Sequence, residues 1–147
     1  MSIPRNSLWY RWLLAVTGGL FLFSLSFVVF PAPIQQFFNW MVSSTIDIPA
    51  TLNRGGIHYM TFVYGVLGAA MVGWSIMLAS MLLTSFQRGE RSAWWAIIAS
   101  ICVWFVLDSA FSLSMGFWQN ALFNVAFFIL FSVPLAATYT HFNRRRG

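Results

Sequence analysis

Ala93-Trp94-Trp95-Ala96-Ile97-Ile98-Ala99-Ser100-Ile101-Cys102-Val103-Trp104-Phe105-Val106-Leu107-Asp108-Ser109-Ala110-Phe111-Ser112-Leu113-Ser114-Met115 is an apolar run of helix length with one charged residue, Asp108. Roughly 20 apolar residues cross about 30 Å of hydrocarbon as a helix, so this run is long enough to span a bilayer. A carboxylate at the centre of such a helix costs roughly 2.5–3.5 kcal/mol on insertion scales. Asp108 is the only acid in any run of this kind, and whatever stabilises it points to where the chain acts.

Three further runs flank this one, at residues 12–30, 57–86 and 120–139. None alternates polar with apolar residues as a barrel strand would, and helices satisfy every peptide group in lipid. The composition agrees: 59% of the 147 residues are hydrophobic, 19% aromatic and only 7% charged. Soluble domains carry about 25% charged residues, too many for this chain to match. The expectation is an all-α polytopic membrane protein, one domain over residues 1–147. Its four transmembrane helices would form an antiparallel bundle. The first run exceeds the 7–15 apolar residues typical of a signal peptide and lacks a small-x-small cleavage site, so it reads as a retained helix.

All eight basic residues are arginine. With an even number of spans, Arg5, Arg11, Arg88, Arg91, Arg144, Arg145 and Arg146 fall on one side and Arg54 alone on the other. The positive-inside rule then places both termini and the 87–92 turn in the cytoplasm. This placement accounts for the net charge of +5 without nucleic acid. The lone cysteine, Cys102, excludes an internal disulfide and reads as a packing residue.

Residues 31–56 form the one substantial outer segment. Pro31 and Pro33 stop the first helix from continuing. Ile34, Phe37, Phe38 and Met41 recur at helical spacing, which predicts a short interfacial amphipathic helix with Trp40 at the lipid surface. Residues 43–49 read as a turn, with Thr51 or Asn53 as the next N-cap. The connections at 87–92 and 116–119 are short, with Ser92 a candidate cap, so the last three helices should neighbour one another as a meander. Gly65, Ala69 and Gly73 share one face as a small-xxx-small stripe, expected to pack on another helix of the chain. Pro134 should bend the last helix and free a carbonyl about one turn earlier. Trp9, Trp12, Trp94, Trp95 and Trp118 fall near span ends, as an aromatic belt would.

Three polar pairs fall at one level of the outer half: Arg54 with His58, Asp108 with Ser112, and Asn120 with Asn124. Trp104 lies one turn deeper than Asp108, and Trp74 and Trp104 read as pocket walls. Two readings compete. Interhelical hydrogen bonds among these residues lock the bundle, with Arg54 or His58 pairing Asp108; or the same residues line a ligand or proton site. The chain has no HExxH, EF-hand, P-loop or GxSxG motif. His58 and His141 fall on opposite sides, so they cannot share a metal or haem, and no metal site is expected. His58 alone reads as an interface residue rather than an axial ligand.

The stretch from Arg88 to Trp95, followed by Trp104-Phe105-Val106-Leu107-Asp108-Ser109 and Gly116-Phe117-Trp118-Gln119-Asn120, resembles small uncharacterised bacterial four-helix integral membrane proteins. The resemblance covers roughly the C-terminal two thirds. It implies a bacterial inner-membrane protein and brings no activity or cofactor with it. Three function classes remain, ranked by the scarcity of catalytic groups. First is a non-catalytic accessory or assembly subunit of a membrane complex. Next is a binder of a lipid, quinone or small amphiphile around Asp108, and last an enzyme using Asp108 as acid or base. The expected partners are the bilayer and either another subunit or a small amphiphile.

Overall fold

The computed structural model describes residues 4, 7–42 and 53–143. The expected turn at 43–49, the alternative cap Thr51, and Arg5 and Arg144–Arg146 lie outside them. The described chain is helical: α1 is Leu8–Val29, α2 is Pro31–Val42, α3 is Arg54–Met81, α4 is Arg91–Ser114 and α5 is Trp118–Asn143. The last turns of α3 widen into π-helix over Leu82–Phe86. Taken with that segment, α3 is 33 residues long, and α1, α3, α4 and α5 are each long and apolar enough to cross a membrane. Their outer faces carry bare apolar side chains such as Leu22, Phe62, Leu107 and Leu122, each at least 62% exposed. Water would not tolerate so continuous an apolar exterior.

The helix boundaries follow from local chemistry. Phe30 leaves helical geometry, and Pro31 and Pro33 then occupy the first turn of α2, where a missing N–H costs nothing. Asn53 caps α3: its Oδ1 accepts the Gly56 N–H at 2.8 Å. Gly89 (φ 74°) and Gly116 (φ 83°) end their helices in the left-handed region. Each is the glycine of a Schellman motif. The Phe117 N–H reaches the Ser112 carbonyl at 2.8 Å, and the Glu90 N–H reaches that of Ser85 at 3.0 Å. Ser92 is not the cap of α4; the helix starts two residues sooner, at Arg91, and Glu90 holds the capping position.

The Glu90 carboxylate accepts from Arg88 Nε at 2.6 Å, and Arg88 also donates to Ser85 Oγ. Hydrogen bonds from Arg88 and Ser85 hold the Glu90 carboxyl below its ordinary value. A depressed carboxyl adds stability above its unfolded-state pKa and loses it as pH falls through the folded value. Acid titration should therefore show a small loss of thermal stability below the usual carboxylate range. Glu90→Gln should lack that increment, and an identical acid profile in both proteins would refute the turn clasp.

Packing is uneven around the bundle. α1 packs most extensively on α3, α4 on α5, and α1 joins the two pairs through α5. α3 and α4 are consecutive in the chain yet make little contact with each other, which corrects the expected meander. The π turns and the Gly89 turn let them diverge, because each already has a better partner. A close approach of α3 to α1 at Gly68 holds the first pair: a β-carbon there would lie 2.5 Å from Phe27 Cβ and 2.9 Å from the Ser24 carbonyl oxygen. The predicted stripe is not the contact. A β-carbon at Gly65 or Gly73 would meet nothing within 4 Å, and Ala69 is exposed.

The buried core lies toward the end of the bundle that holds the 87–90 turn. It includes Leu13, Leu78, Leu82, Phe86, Trp94, Ile97, Ile101 and Leu135. Pro134 interrupts α5 at this level. Its missing N–H leaves the Leu130 carbonyl without its helical donor, and the Trp12 indole N–H of α1 donates to that oxygen at 3.1 Å. Trp94 of α4 donates to the Leu135 carbonyl at 2.9 Å, and Thr138 Oγ1 donates to Pro134 at 2.9 Å. Trp12 and Trp94, expected as belt residues, thus tie α1 and α4 to the interrupted stretch of α5.

Candidate functional site

At the opposite end the divergence of α3 and α4 leaves a cleft of about 690 Å³. This is within the size range of small-molecule pockets. Each element contributes a wall for a local reason. α3 supplies Met60, Tyr64, Leu67 and Met71 from one face, and α1 closes the back with Leu20, Phe23 and Phe27. Phe23 stacks obliquely on Phe123 and Phe127 of α5, both at 5.9 Å between ring centres. α2 forms a roof, with Phe38 packing on Phe27 at 5.6 Å and Tyr64 at 5.8 Å. Gln35 Nε2 of α2 donates to Thr61 Oγ1 of α3 at 2.8 Å and fixes that roof. Besides any contact with a lipid surface, the amphipathic α2 therefore turns Phe38 and Met41 into the cleft. Trp74 and Trp104, 6.0 Å apart, make the floor.

Most of the polar residues gather in one patch on α4 and α5, with Asn39 of α2 and the Tyr64 hydroxyl of α3 the others along the cleft. Asp108 and Ser112 stand one turn apart on α4, and Asn120 and Asn124 one turn apart at the start of α5. Ser112 Oγ donates to Asp108 Oδ1 at 3.2 Å, and Asn120 Nδ2 donates to the same oxygen at 3.1 Å and to Ser112 Oγ at 2.8 Å. Asn124 Nδ2 donates to Ser109 Oγ at 3.3 Å. Oδ1 of Asp108 thus has two donors, both on the protein, whereas Oδ2 has no hydrogen bond or ion pair among the described residues. Asp108 is half-buried and lines the cleft.

The structure brings together five of the seven residues of the predicted polar site: Trp104, Asp108, Ser112, Asn120 and Asn124. The other two stay apart. Arg54 and His58 are exposed, neither lines the cleft, and among the described residues the only ion pair is Arg88–Glu90. The expected pairing of Asp108 with a cation is corrected accordingly: the first turns of α3 direct both side chains outward. The sequence reading of Trp74 and Trp104 as deeper pocket walls agrees with the lining, whereas Ser109, Asn39 and the phenylalanine walls were missed. The i, i+4 aromatic pairs Phe23–Phe27 and Phe123–Phe127 were the available signal. Among the described residues no group of three or more His, Cys, Asp or Glu side chains is placed to hold a metal.

Among the described residues no second carboxylate lies near Asp108. What the arrangement offers is a polar head site on one wall of an apolar, aromatic chamber. No protein-family model, curated protein or solved structure matches the chain.

Proposed function

We propose that the chain is a multi-pass protein of a bacterial inner membrane that binds a small amphiphile in the cleft. The observation that carries this reading is the asymmetry of the 690 Å³ chamber: aromatic and methionine side chains on most sides, with four hydrogen-bonding side chains, Asp108, Ser112, Asn120 and Asn124, gathered on one wall. Amphiphiles are recognised by such segregation, the head through a few placed polar groups and the tail by apolar area. The four spans run antiparallel, a reading supported by partners that descend along α5 as they ascend α4: Trp94 with Leu135, Phe105 with Phe128, Ser109 with Asn124. With the termini and the 87–92 turn cytoplasmic by the arginine distribution, the cleft lies in the outer leaflet. Its opening between α3 and α4 faces sideways into lipid.

The test is extraction of the native protein in polymer-bounded lipid discs, followed by mass spectrometry of what travels with it. One defined amphiphile, enriched over bulk lipid and lost from a Trp104→Ala variant, is the expected result. Bulk lipid in membrane proportions would overturn the reading. A second reading, an accessory subunit of a larger complex, draws on the uncovered Gly65, Ala69 and Gly73 face of α3. A stoichiometric membrane protein retained in the same discs and lost from Gly73→Leu would favour it.

A further inference from the structure

Resting on the amphiphile reading, we infer that the ligand of the cleft is a lipophilic cation: a single-chain or drug-sized amine whose ammonium group sits against Asp108 Oδ2. The argument starts from charge. A carboxylate in an apolar setting needs a compensating charge or a full set of hydrogen bonds. Asp108 has neither. Ser112 and Asn120 both donate to Oδ1, Oδ2 has no donor among the described residues, and no arginine or histidine among them pairs with it. The two protein donors fix the carboxylate through Oδ1 on a residue that lines the chamber. An ammonium N–H would give Oδ2 a charge-assisted hydrogen bond.

The walls agree with the charge. Trp104 is one turn from Asp108 on the same face of α4, Trp74 lies beside it at 6.0 Å, and Phe111 and Tyr64 also border the cleft. Indole and phenyl faces attract cations, most strongly where water is excluded. An anionic head would meet Asp108 with no cation to offset the repulsion. The volume limits the occupant to one chain or a compact ring system.

The test is photolabelling in phosphatidylcholine nanodiscs, with a diazirine-bearing dodecylamine as probe. Unlabelled dodecylamine, dodecanol and phosphatidylethanolamine compete with it. The expected result is labelling of cleft residues, displaced at least ten-fold more effectively by dodecylamine than by dodecanol. Asp108→Asn, which is isosteric and can keep the contacts to Ser112 and Asn120, should bring the two competitors within about two-fold of each other. If dodecanol competes as well as dodecylamine on the unaltered protein, the cationic head is refuted while amphiphile binding stands. If phosphatidylethanolamine competes best, the occupant is a two-chain membrane lipid and the single-chain assignment falls. If label is spread evenly over the lipid-facing surface, both this inference and the amphiphile reading fail.

Discussion

Replacing Gly68 by alanine is expected to destabilise the protein by about 3 kcal/mol, at the upper end of the range for overpacking. The added β-carbon would sit 2.5 Å from Phe27 Cβ and 2.9 Å from the Ser24 carbonyl. One neighbour is backbone and the other is fixed to it, so neither moves by a rotamer change. α1 and α3 would have to separate, at the place where α3 has its best partner. The same substitution at Gly65 or Gly73, on the same helix, meets open space. There the ordinary helix preference for alanine over glycine, about 1 kcal/mol at most, is the remaining effect, and its sign is favourable. Thermal unfolding of the three variants in one detergent is the measurement. A Gly68→Ala protein that melts with the parent would mean that α1 and α3 do not touch at this point.

That contrast also shows what the sequence hides. Gly65, Ala69 and Gly73 read as a packing stripe because their spacing puts them on one face, but spacing does not say which face meets a neighbour. In a water-soluble helix the polar side would settle the matter. Here lipid and core are both apolar, so α3 is hydrophobic all round and the direction of its contact is left to side-chain shape. The number and extent of the four runs were more legible, since Pro31, Gly89 and Gly116 break them, while the start of α3 lay open between Thr51 and Asn53 and that of α4 was misplaced at Ser92. The site divides in the same way. Asp108, Ser112, Asn120 and Asn124 were legible because a polar residue in an apolar run is conspicuous, and a four-residue spacing aligns each pair. The pairing with Arg54 and His58 was not legible, since depth along the bundle says nothing about the direction of a side chain in a helix's first turn. The phenylalanine walls of the cleft were hidden for a different reason, although Trp74 and Trp104 stood out by their depth. With 16 phenylalanines in the chain, lining and lipid-facing rings look alike until the helices are placed.

Trp12→Phe should cost about 2 kcal/mol, and nearly all of that cost should vanish when Pro134 is also replaced by alanine. Pro134 removes the N–H that would bond the Leu130 carbonyl, and the Trp12 indole donates to that oxygen from α1 at 3.1 Å. Phenylalanine keeps most of the ring but has no donor. A carbonyl stranded without a partner in an apolar setting costs about 1–3 kcal/mol. Alanine at 134 restores the helical N–H, so Leu130 no longer needs Trp12, and the second substitution should then cost only the small loss of ring area. Pro134→Ala has its own cost, because the buried proline ring leaves a void. For that reason the informative quantity is the coupling between the two changes, which cancels the packing terms that each makes alone. A coupling above about 1 kcal/mol, from unfolding of the four proteins in one detergent, is the expected result. Additive costs would mean that lipid or another group serves the Leu130 carbonyl and that Trp12 acts only as an interfacial anchor. A strong coupling would instead make the Trp12–Pro134 pair the pin of the closed end. The open end, where α3 and α4 part around Asp108, would then be free to admit a ligand without unfastening the bundle.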